Sequence, residues 1–346
     1  MGSLLTYSGL TTKIRAMQSR LLTEENYREI SELRSVGDFM AYLKQQEGYR
    51  ATFADMDPAT IHRGDIEVAM RFDIFRDFTR IYNFANVKQR HYLDLYFMRY
   101  EVRVLKRYLR NVFDSRGADT TRTVHVNDFE LHSKIQTELV AHSATIEEMI
   151  ANLKGTQYYE PLLKVQRMDQ PSLFDYEICL DLYHYETVWK ALKKFFKKSE
   201  LDIMTHSYGV RIDLLNIAWI YRSKKYFTID DKAIYSLLVP VHYKLRKNEL
   251  KQMVEAEDMN AFYTVLSQTH YGRYLLDTDK QMSLEQLESR VLEQVHMKDY
   301  KQDPYSLATV NTYLYLKEKE YAKIITAAEC IRYGLAPSEI LLQLAK

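Results

Sequence analysis

Residues 213–227 read DLLNIAWIYRSKKYF, and two other stretches of the chain repeat their pattern. EVRVLKRYLRNVF begins at Glu101, and EYAKIITAAECIRYG begins at Glu320. Each stretch opens on a carboxylate, and an aliphatic residue follows four positions later, on the same face of a helix. The three starting positions lie 112 and 107 residues apart. This near-constant interval indicates an internal repeat of about 110 residues.

A second set of matching segments has the same period. Its members are SVGDFMAYLKQQEGYRATF (35–53), TIEEMIANLKGTQYYEPLL (145–163) and MNAFYTVLSQTHYGRYLL (259–276). In each, a bulky apolar residue precedes a leucine by four positions, and a tyrosine follows five or six positions later. These residues are Phe39, Leu43 and Tyr49; Met149, Leu153 and Tyr159; and Phe262, Leu266 and Tyr271.

Two markers that recur in the same order predict three degenerate helical repeats, at residues 1–117, 118–230 and 231–346. Three repeats are few enough to close around an axis, so we expect a pseudo-threefold body. A short solenoid is the alternative arrangement.

The sequence is typical of an all-α protein. Only ten glycines and six prolines occur in 346 residues, and no proline lies between Pro58 and Pro161. Apolar residues recur at helical spacing, as at Val102, Leu105 and Leu109. The clearest strand-like alternation is TRTVHV (121–126), which we interpret as a connector.

Composition narrows the possible functions. The 48 basic residues nearly balance the 47 acidic ones, so the whole chain has no field to attract nucleic acid. Two cysteines, Cys179 and Cys330, support neither a disulfide framework nor a cysteine-based zinc site. We expect no signal peptide, and the apolar runs at 214–221 and 234–241 are shorter than the roughly 20 residues that span a bilayer.

The motifs of nucleotide-binding and acyl-transfer enzymes are missing from the sequence. It contains neither G-x-x-x-x-G-K-[ST] nor G-x-G-x-x-G, and neither H-E-x-x-H nor G-x-S-x-G. We therefore predict no catalytic residue, no cofactor and no small-molecule substrate.

One alternative is a helical-bundle di-metal carboxylate enzyme. Asp181-x-x-His184 and Glu293-x-x-His296 each place a carboxylate and an imidazole on one helical face. Di-iron bundles use Glu-x-x-His on two helices and need two further glutamates. No such glutamates can be identified here, so these residues are better explained as polar positions of amphipathic helices.

Two basic helix faces are candidate partner contacts. The first comprises Arg99, Arg103, Lys106, Arg107 and Arg110, and the second comprises Lys194, Lys197 and Lys198. Either is compatible with a solvated face, with docking on acidic helices of a partner, or with a polyanion-binding or lipid-binding helical adaptor. The recurring carboxylates Glu101, Asp213 and Glu320 are interpreted as acids at helix starts with a shared structural role.

Three regions resemble the C/d subunit of V-type and A-type rotary ATPases, the AC39 family. They are TTKIRAMQSRLLTEENYREISELRSVGDFMAYL (11–43), YGVRIDLLNIAWIYRSKKYF (208–227) and EKEYAKIITAAECIRYGLAPSEI (318–340). The middle region carries the pattern of that family's central helix. Its matching positions are Asp213, Asn216, Ile217, Ile220, Arg222, Lys224 and Tyr226.

The resemblance implies an all-α fold of three similar units that form a funnel or socket. It also implies a non-catalytic rotor part on the cytoplasmic face of the membrane, peripheral to it and part of an ion-transporting complex. The partners implied are the proteolipid membrane ring and the central stalk subunits. This sequence departs from its own repeat pattern at Glu329, where Arg110 and Arg222 align in the earlier copies.

Overall fold

A computed structural model describes residues 2–114, 127–227, 229–275 and 283–345. The predicted boundary near residue 117 and the connector 121–126 lie outside these ranges. Within them every regular element is helical, which confirms the predicted all-α class. The helices are α1 (Gly2–Gln18), α2 (Glu24–Ser31), α3 (Val36–Gln45), α4 (Arg63–Phe84), α5 (Val87–Phe113), α6 (Asn127–Glu130), α7 (Thr137–Ala141), α8 (Ile146–Asn152), α9 (Tyr159–Gln166), α10 (Leu173–Phe195), α11 (Lys198–Arg222), α12 (Asp231–Leu237), α13 (Lys247–Val254), α14 (Met259–Gln268), α15 (Leu284–Gln302), α16 (Leu307–Arg332) and α17 (Pro337–Leu344).

The described residues form two compact units. The first contains the described parts of 1–90, 124–131 and 300–346, so both ends of the chain fold together. Its core includes Phe39, Met70 and Ile324, from α3, α4 and α16. The second contains the described parts of 91–123 and 132–299. In the second unit α10 packs against α9 and α11, and α13 packs against α14.

The three segments matched by sequence take one local structure. Ser35, Thr145 and Asp258 are the N-caps of α3, α8 and α14, and each accepts a hydrogen bond from the backbone N–H three residues later. This interaction satisfies a backbone donor that the first helical turn leaves unpaired. The predicted apolar pairs that follow are fully buried: Phe39 and Leu43, Met149 and Leu153, and Phe262 and Leu266.

The structure corrects one tyrosine of this pattern. Tyr49 and Tyr271 are fully buried, as a packing role requires, but Tyr159 is half-buried at the start of α9. Its neighbour Tyr158 is the buried residue, with 1% of its surface exposed. Sequence comparison selected the wrong member of an adjacent pair because spacings of five and six both occur in the pattern. The division into three repeats stays a prediction.

Two glycines have backbone roles that the fold requires. Gly334 ends α16 with φ at +68°, a left-handed conformation that disfavours side chains with a Cβ atom. The N–H of Leu335 then bonds to the carbonyl of Cys330, which closes the helix end before α17 begins. At Gly209 in α11, a Cβ atom would lie 2.4 Å from the Tyr243 ring, so only glycine lets that ring pack on the helix.

None of the helices in the described ranges combines the length and the apolar composition that crossing a bilayer demands.

Candidate functional site

The three recurring carboxylates lie near the middle of long helices. Glu101 is in α5, Asp213 in α11 and Glu320 in α16. Their interpretation as acids at helix starts is therefore wrong. The interpretation failed because aligning the repeats matches residues by their position in the sequence and does not show where each helix begins.

Each carboxylate accepts a hydrogen bond from the buried tyrosine of a capped helical segment. Tyr158 Oη lies 2.6 Å from Glu101 Oε2, and Tyr271 Oη lies 2.7 Å from Asp213 Oδ2. Tyr49 donates in the same way to Glu320. These carboxylate–tyrosine pairs join a long helix to the end of a helical hairpin.

The same carboxylates also bind the segment that leads into each hairpin. Asp213 accepts hydrogen bonds from the N–H groups of Lys244 and Leu245, at 2.7 and 2.9 Å, just before α13. Glu320 accepts one from the N–H of Leu22, at 2.5 Å, just before α2. Each of these two acids therefore holds both ends of a hairpin, α13–α14 or α2–α3.

In the first copy, side chains rather than backbone N–H groups connect the carboxylate to the segment before the hairpin. Glu101 accepts hydrogen bonds from Ser133 Oγ at 2.5 Å and Gln157 Nε2 at 3.2 Å, in addition to Tyr158. Ser133 precedes α7, which forms a hairpin with α8. A buried carboxylate without such partners would be costly, because burial removes its hydration.

Burial controls the titration of these groups. It raises the pKa of Glu101, Asp213 and Glu320, and the hydrogen bonds just described oppose the rise. Burial also raises the pKa of Tyr158 and Tyr271, and the facing carboxylates add to the increase. The phenols therefore stay protonated and act as donors, which suits a structural tie.

A second relationship recurs nine residues after each carboxylate. Arg110 Nε lies 2.6 Å from Glu177 Oε1 in α10, and an Arg222 amino group lies 3.7 Å from Glu285 Oε1 in α15. In the third copy Glu329 lies 3.0 Å from Arg63 Nε in α4. The departure at Glu329 is therefore an ion pair of reversed polarity, with the acid on the carboxylate-bearing helix.

The third copy also contains a buried charge cluster that the sequence analysis missed. Lys317 Nζ lies 2.7 Å from Asp73 Oδ2, 3.5 Å from Glu320 Oε2 and 3.8 Å from Asp77 Oδ2. Tyr313 Oη donates to Asp77 at 2.6 Å. A detectable signal existed, because Lys317 stands three residues before Glu320 where the other copies have Met98 and Val210.

Opposite charges favour the ionised forms of Lys317 and Asp73 in this cluster despite burial. Burial alone would lower the pKa of Lys317, but Asp73, Glu320 and Asp77 outweigh it and raise that pKa. Burial would raise the pKa of Asp73, but the Lys317 ammonium and Arg76 outweigh it and lower that pKa. The cluster is a paired network, which is the condition under which buried charges persist.

The basic face of α5 is partly used inside the second unit. Lys106 Nζ lies 2.5 Å from Asp181 Oδ2, and Arg110 pairs with Glu177, so two of the five predicted contacts fix α5 to α10. Arg99, Arg103 and Arg107 lie over aromatic rings of the same helix, Tyr96, Tyr100 and Tyr108. Among these three arginines, Arg103 is exposed, and Arg99 and Arg107 are half-buried.

The second basic group lies at the turn from α10 to α11. Lys194, Lys197 and Lys198 are all exposed there, beside the exposed Lys193. Phe195, in the same turn, exposes 43% of its surface.

The carboxylate–histidine steps do not assemble a metal centre in the part of the chain that is described. No cluster of three or more histidine, cysteine, aspartate or glutamate side chains with metal-binding geometry occurs there. Asp181 is paired with Lys106. His184 is buried, and burial together with Arg99 and Arg211 lowers its pKa to about 3, which keeps the imidazole neutral.

Comparison with known proteins agrees with the sequence resemblance. The pattern of the ATP synthase (C/AC39) subunit family matches residues 10–342. The chain belongs to this family. The family predicted from three short regions is therefore confirmed over almost the whole length.

Three relatives named as A-type ATP synthase subunits are similar to this C/AC39 chain over 78–96% of its length. The C subunit of the A-type ATP synthase of Pyrococcus abyssi (strain GE5 / Orsay) is 25% identical over 344 residues, covering 96% of this chain and 89% of that protein. Its counterpart in Thermococcus kodakarensis is 23% identical over 345 residues with the same coverage. The counterpart in Methanosphaera stadtmanae is 25% identical over 278 residues, covering 78% and 68%.

Proposed function

We propose that this chain is a non-catalytic subunit of a V/A-type rotary ATPase, in the position that the C subunit occupies in its relatives. The observation that carries this proposal is the family match over residues 10–342. ATP hydrolysis or synthesis takes place on other subunits, and the role of this chain is structural. The di-metal alternative is not favoured, because the relatives are named as ATP synthase subunits and Asp181 is committed to Lys106.

The partners proposed are the proteolipid ring in the membrane and the central stalk. A coupling part between them must transmit torque without deforming. Close-packed helices suit this task because protein interiors are dense and resist compression. The buried carboxylate–tyrosine pairs add directional ties between helices that apolar packing alone does not supply. We place the chain on the cytoplasmic face of the membrane, as a peripheral component.

We further infer that the three predicted repeats close into a pseudo-threefold funnel or socket. The support is the order of the carboxylate–tyrosine pairs. The helix of repeat 1 binds the tyrosine of repeat 2, repeat 2 binds repeat 3, and Glu320 of repeat 3 binds Tyr49 of repeat 1. The ion pairs at Arg110, Arg222 and Glu329 follow the same order. A cyclic order of this kind is what a closed set of three requires, whereas a solenoid leaves its ends unpaired.

Affinity purification of the full chain from its own cells tests the assignment. The expected result is recovery of nucleotide-binding and proteolipid subunits together with the tagged chain. Recovery of the chain without any ATPase subunit, under conditions that preserve the membrane complex, would contradict the proposed function.

A pair of variants tests the basic face of α5 as the docking surface. Arg103→Glu with Arg107→Glu should weaken recovery of the ring or the stalk, because the reversed charges would repel acidic loops. Arg34→Glu with Arg50→Glu makes the same change in net charge at exposed positions of α2–α3 and its following loop. Equal recovery from both pairs would remove the α5 face from the proposal and leave complex membership intact.

A further inference from the structure

The turn between α10 and α11 has the sequence KKFFKK at residues 193–198 and presents its charges outward. Lys193, Lys194, Lys197 and Lys198 are all exposed. Between them, Phe195 is partly exposed and Phe196 is fully buried. We call these four lysines and Phe195 the lysine turn.

Aromatic contacts hold the lysine turn in one position within the second unit. The Phe196 ring packs edge-on against Tyr92, with ring centres 6.4 Å apart. Phe195 stacks on His91 at 5.2 Å, with 17° between the ring planes. Lys198 has a φ of +54°, a left-handed conformation that a lysine adopts only when its surroundings impose it. The turn is therefore a shaped feature and its lysines are presented from a fixed backbone.

Internal carboxylates do not neutralise the lysine turn. Among residues that the structure describes, none of the four lysines lies within ion-pair distance of an acidic side chain. Lys193 lies over the Trp189 ring at 4.9 Å, and Lys194 lies over Phe195 at 5.4 Å. The nearest acids along the chain, Glu200 and Asp202, are on the first turns of α11. Four positive charges thus remain within six residues, and the surface fits an anionic partner.

We propose that the lysine turn binds the anionic headgroups of a lipid bilayer, with Phe195 entering the interface. Its composition distinguishes lipid from an acidic protein segment. Lysine is depleted in protein–protein interfaces and arginine is enriched, yet all four cations here are lysines. Clustered lysines beside an apolar ring are typical of segments that lie on anionic membranes.

The small size of the lysine turn also favours lipid over a protein partner. A stable protein interface buries about 800 Å² on each partner. Residues 193–198 are a single six-residue segment where α10 ends and α11 begins, which is short for an interface of that size, whereas lipid headgroups need no matching surface. The inference goes beyond the proposed function, because it names lipid as a partner of a surface for which acidic protein loops were the expected partner.

Sedimentation of the purified full chain with lipid vesicles tests this inference. Vesicles of phosphatidylcholine alone are compared with vesicles that also contain phosphatidylglycerol. Binding is expected only with the anionic lipid, and added salt should weaken it because screening shortens the reach of the charges. Lys193→Gln, Lys194→Gln, Lys197→Gln and Lys198→Gln combined should reduce the affinity by about tenfold or more.

A matched control separates local charge from total charge. Changing Lys154, Lys232, Lys247 and Lys301 to glutamine removes four charges from exposed, scattered positions and should leave vesicle binding nearly unchanged. Equal loss in the two quadruple variants, or equal binding of the unchanged chain to neutral vesicles, would overturn the proposal.

Phe195→Ala distinguishes lipid from an acidic polypeptide. It should weaken vesicle binding without any change of charge, because an apolar ring gains from leaving water at the interface. If Phe195→Ala has no effect and polyglutamate binds as tightly as the anionic vesicles, the surface belongs to an acidic protein partner and the lipid assignment is wrong. Recovery of ATPase subunits is a separate readout, so failure with vesicles leaves the proposed function standing.

Discussion

Tyr49 donates a hydrogen bond to Glu320 across 271 residues of sequence, and both side chains are buried. The interaction joins the segment after α3 to the middle of α16, so the two ends of the chain belong to one folded unit. Glu101 and Asp213 make the equivalent bonds to tyrosines only 57 and 58 residues away. The same carboxylate–tyrosine hydrogen bond therefore joins segments that are 57 residues apart and segments that are 271 residues apart.

The carboxylate–tyrosine pairs should contribute measurably to stability. Tyr158→Phe removes the donor to Glu101 and leaves a buried carboxylate with one partner fewer. We expect a loss of about 1–3 kcal/mol in the free energy of unfolding, measured by urea denaturation. Tyr159→Phe is the matched control, because the adjacent ring is only half-buried. Equal effects of the two substitutions would contradict the role given to Tyr158.

Lys317 should be more important than an ordinary surface lysine. Lys317→Met leaves Glu320 buried without its cation and Asp73 with Arg76 alone, and we expect a loss of about 3–5 kcal/mol in the free energy of unfolding. Methionine is the natural choice because Met98 occupies the equivalent position of the first copy. Adding Asp73→Asn should recover part of the loss by removing one of the carboxylates that faced Lys317. A double variant no more stable than Lys317→Met would argue against charge as the cause.

The reversed ion pair between Arg63 and Glu329 can be tested by exchanging its charges. Glu329→Arg places a third cation beside Arg63 and Arg332. It should destabilise the chain slightly, by less than about 1 kcal/mol, because Arg63 and Glu329 are both about one-third exposed. Arg63→Glu with Glu329→Arg restores opposite charges in the polarity of the other copies. The double variant should be more stable than the sum of the single changes predicts, as a thermodynamic cycle of unfolding energies measures. Strict additivity would show that the pair contributes no coupling energy.

His184 should make stability depend on pH in the acidic range. In the folded chain its pKa is about 3, because of burial and of the nearby Arg99 and Arg211, whereas its usual value is 6.5. As the pH falls below about 6.5, His184 becomes protonated in the unfolded chain but stays neutral in the folded chain. The contribution of His184 to the free energy of unfolding is therefore complete above about pH 6.5. It decreases towards pH 3, by about 1.4 kcal/mol per pH unit.

His184→Phe keeps an aromatic ring beside Tyr185 and removes the titrating group. The slope of unfolding free energy against pH should become shallower between about pH 6 and 4. His142→Gln, at an exposed position, controls for the loss of a histidine elsewhere. An unchanged slope in His184→Phe would mean that His184 is not held neutral in the fold.

Much of the fold was predictable because it depends on local patterns. Helical periodicity and scarce glycine and proline indicated the all-α class. The buried pairs such as Phe39 and Leu43 were visible as recurring residues at fixed spacing. Tyr158 was missed because two tyrosines stand side by side, and spacing alone cannot tell which ring is buried. The family was likewise recognisable from three short regions of the sequence.

The sequence by itself determined the helices, the caps and the recurrence of Glu101, Asp213 and Glu320, because each depends on residues within a few turns of one another. Only the tertiary structure decided what those carboxylates bind. Their tyrosine partners are 57 to 271 residues away, and no local pattern encodes which tyrosine reaches which acid. It also decided that Lys106 and Arg110 are committed to Asp181 and Glu177. A charged side chain has the same appearance in sequence whether it faces water or an opposite charge, and packing alone distinguishes the two.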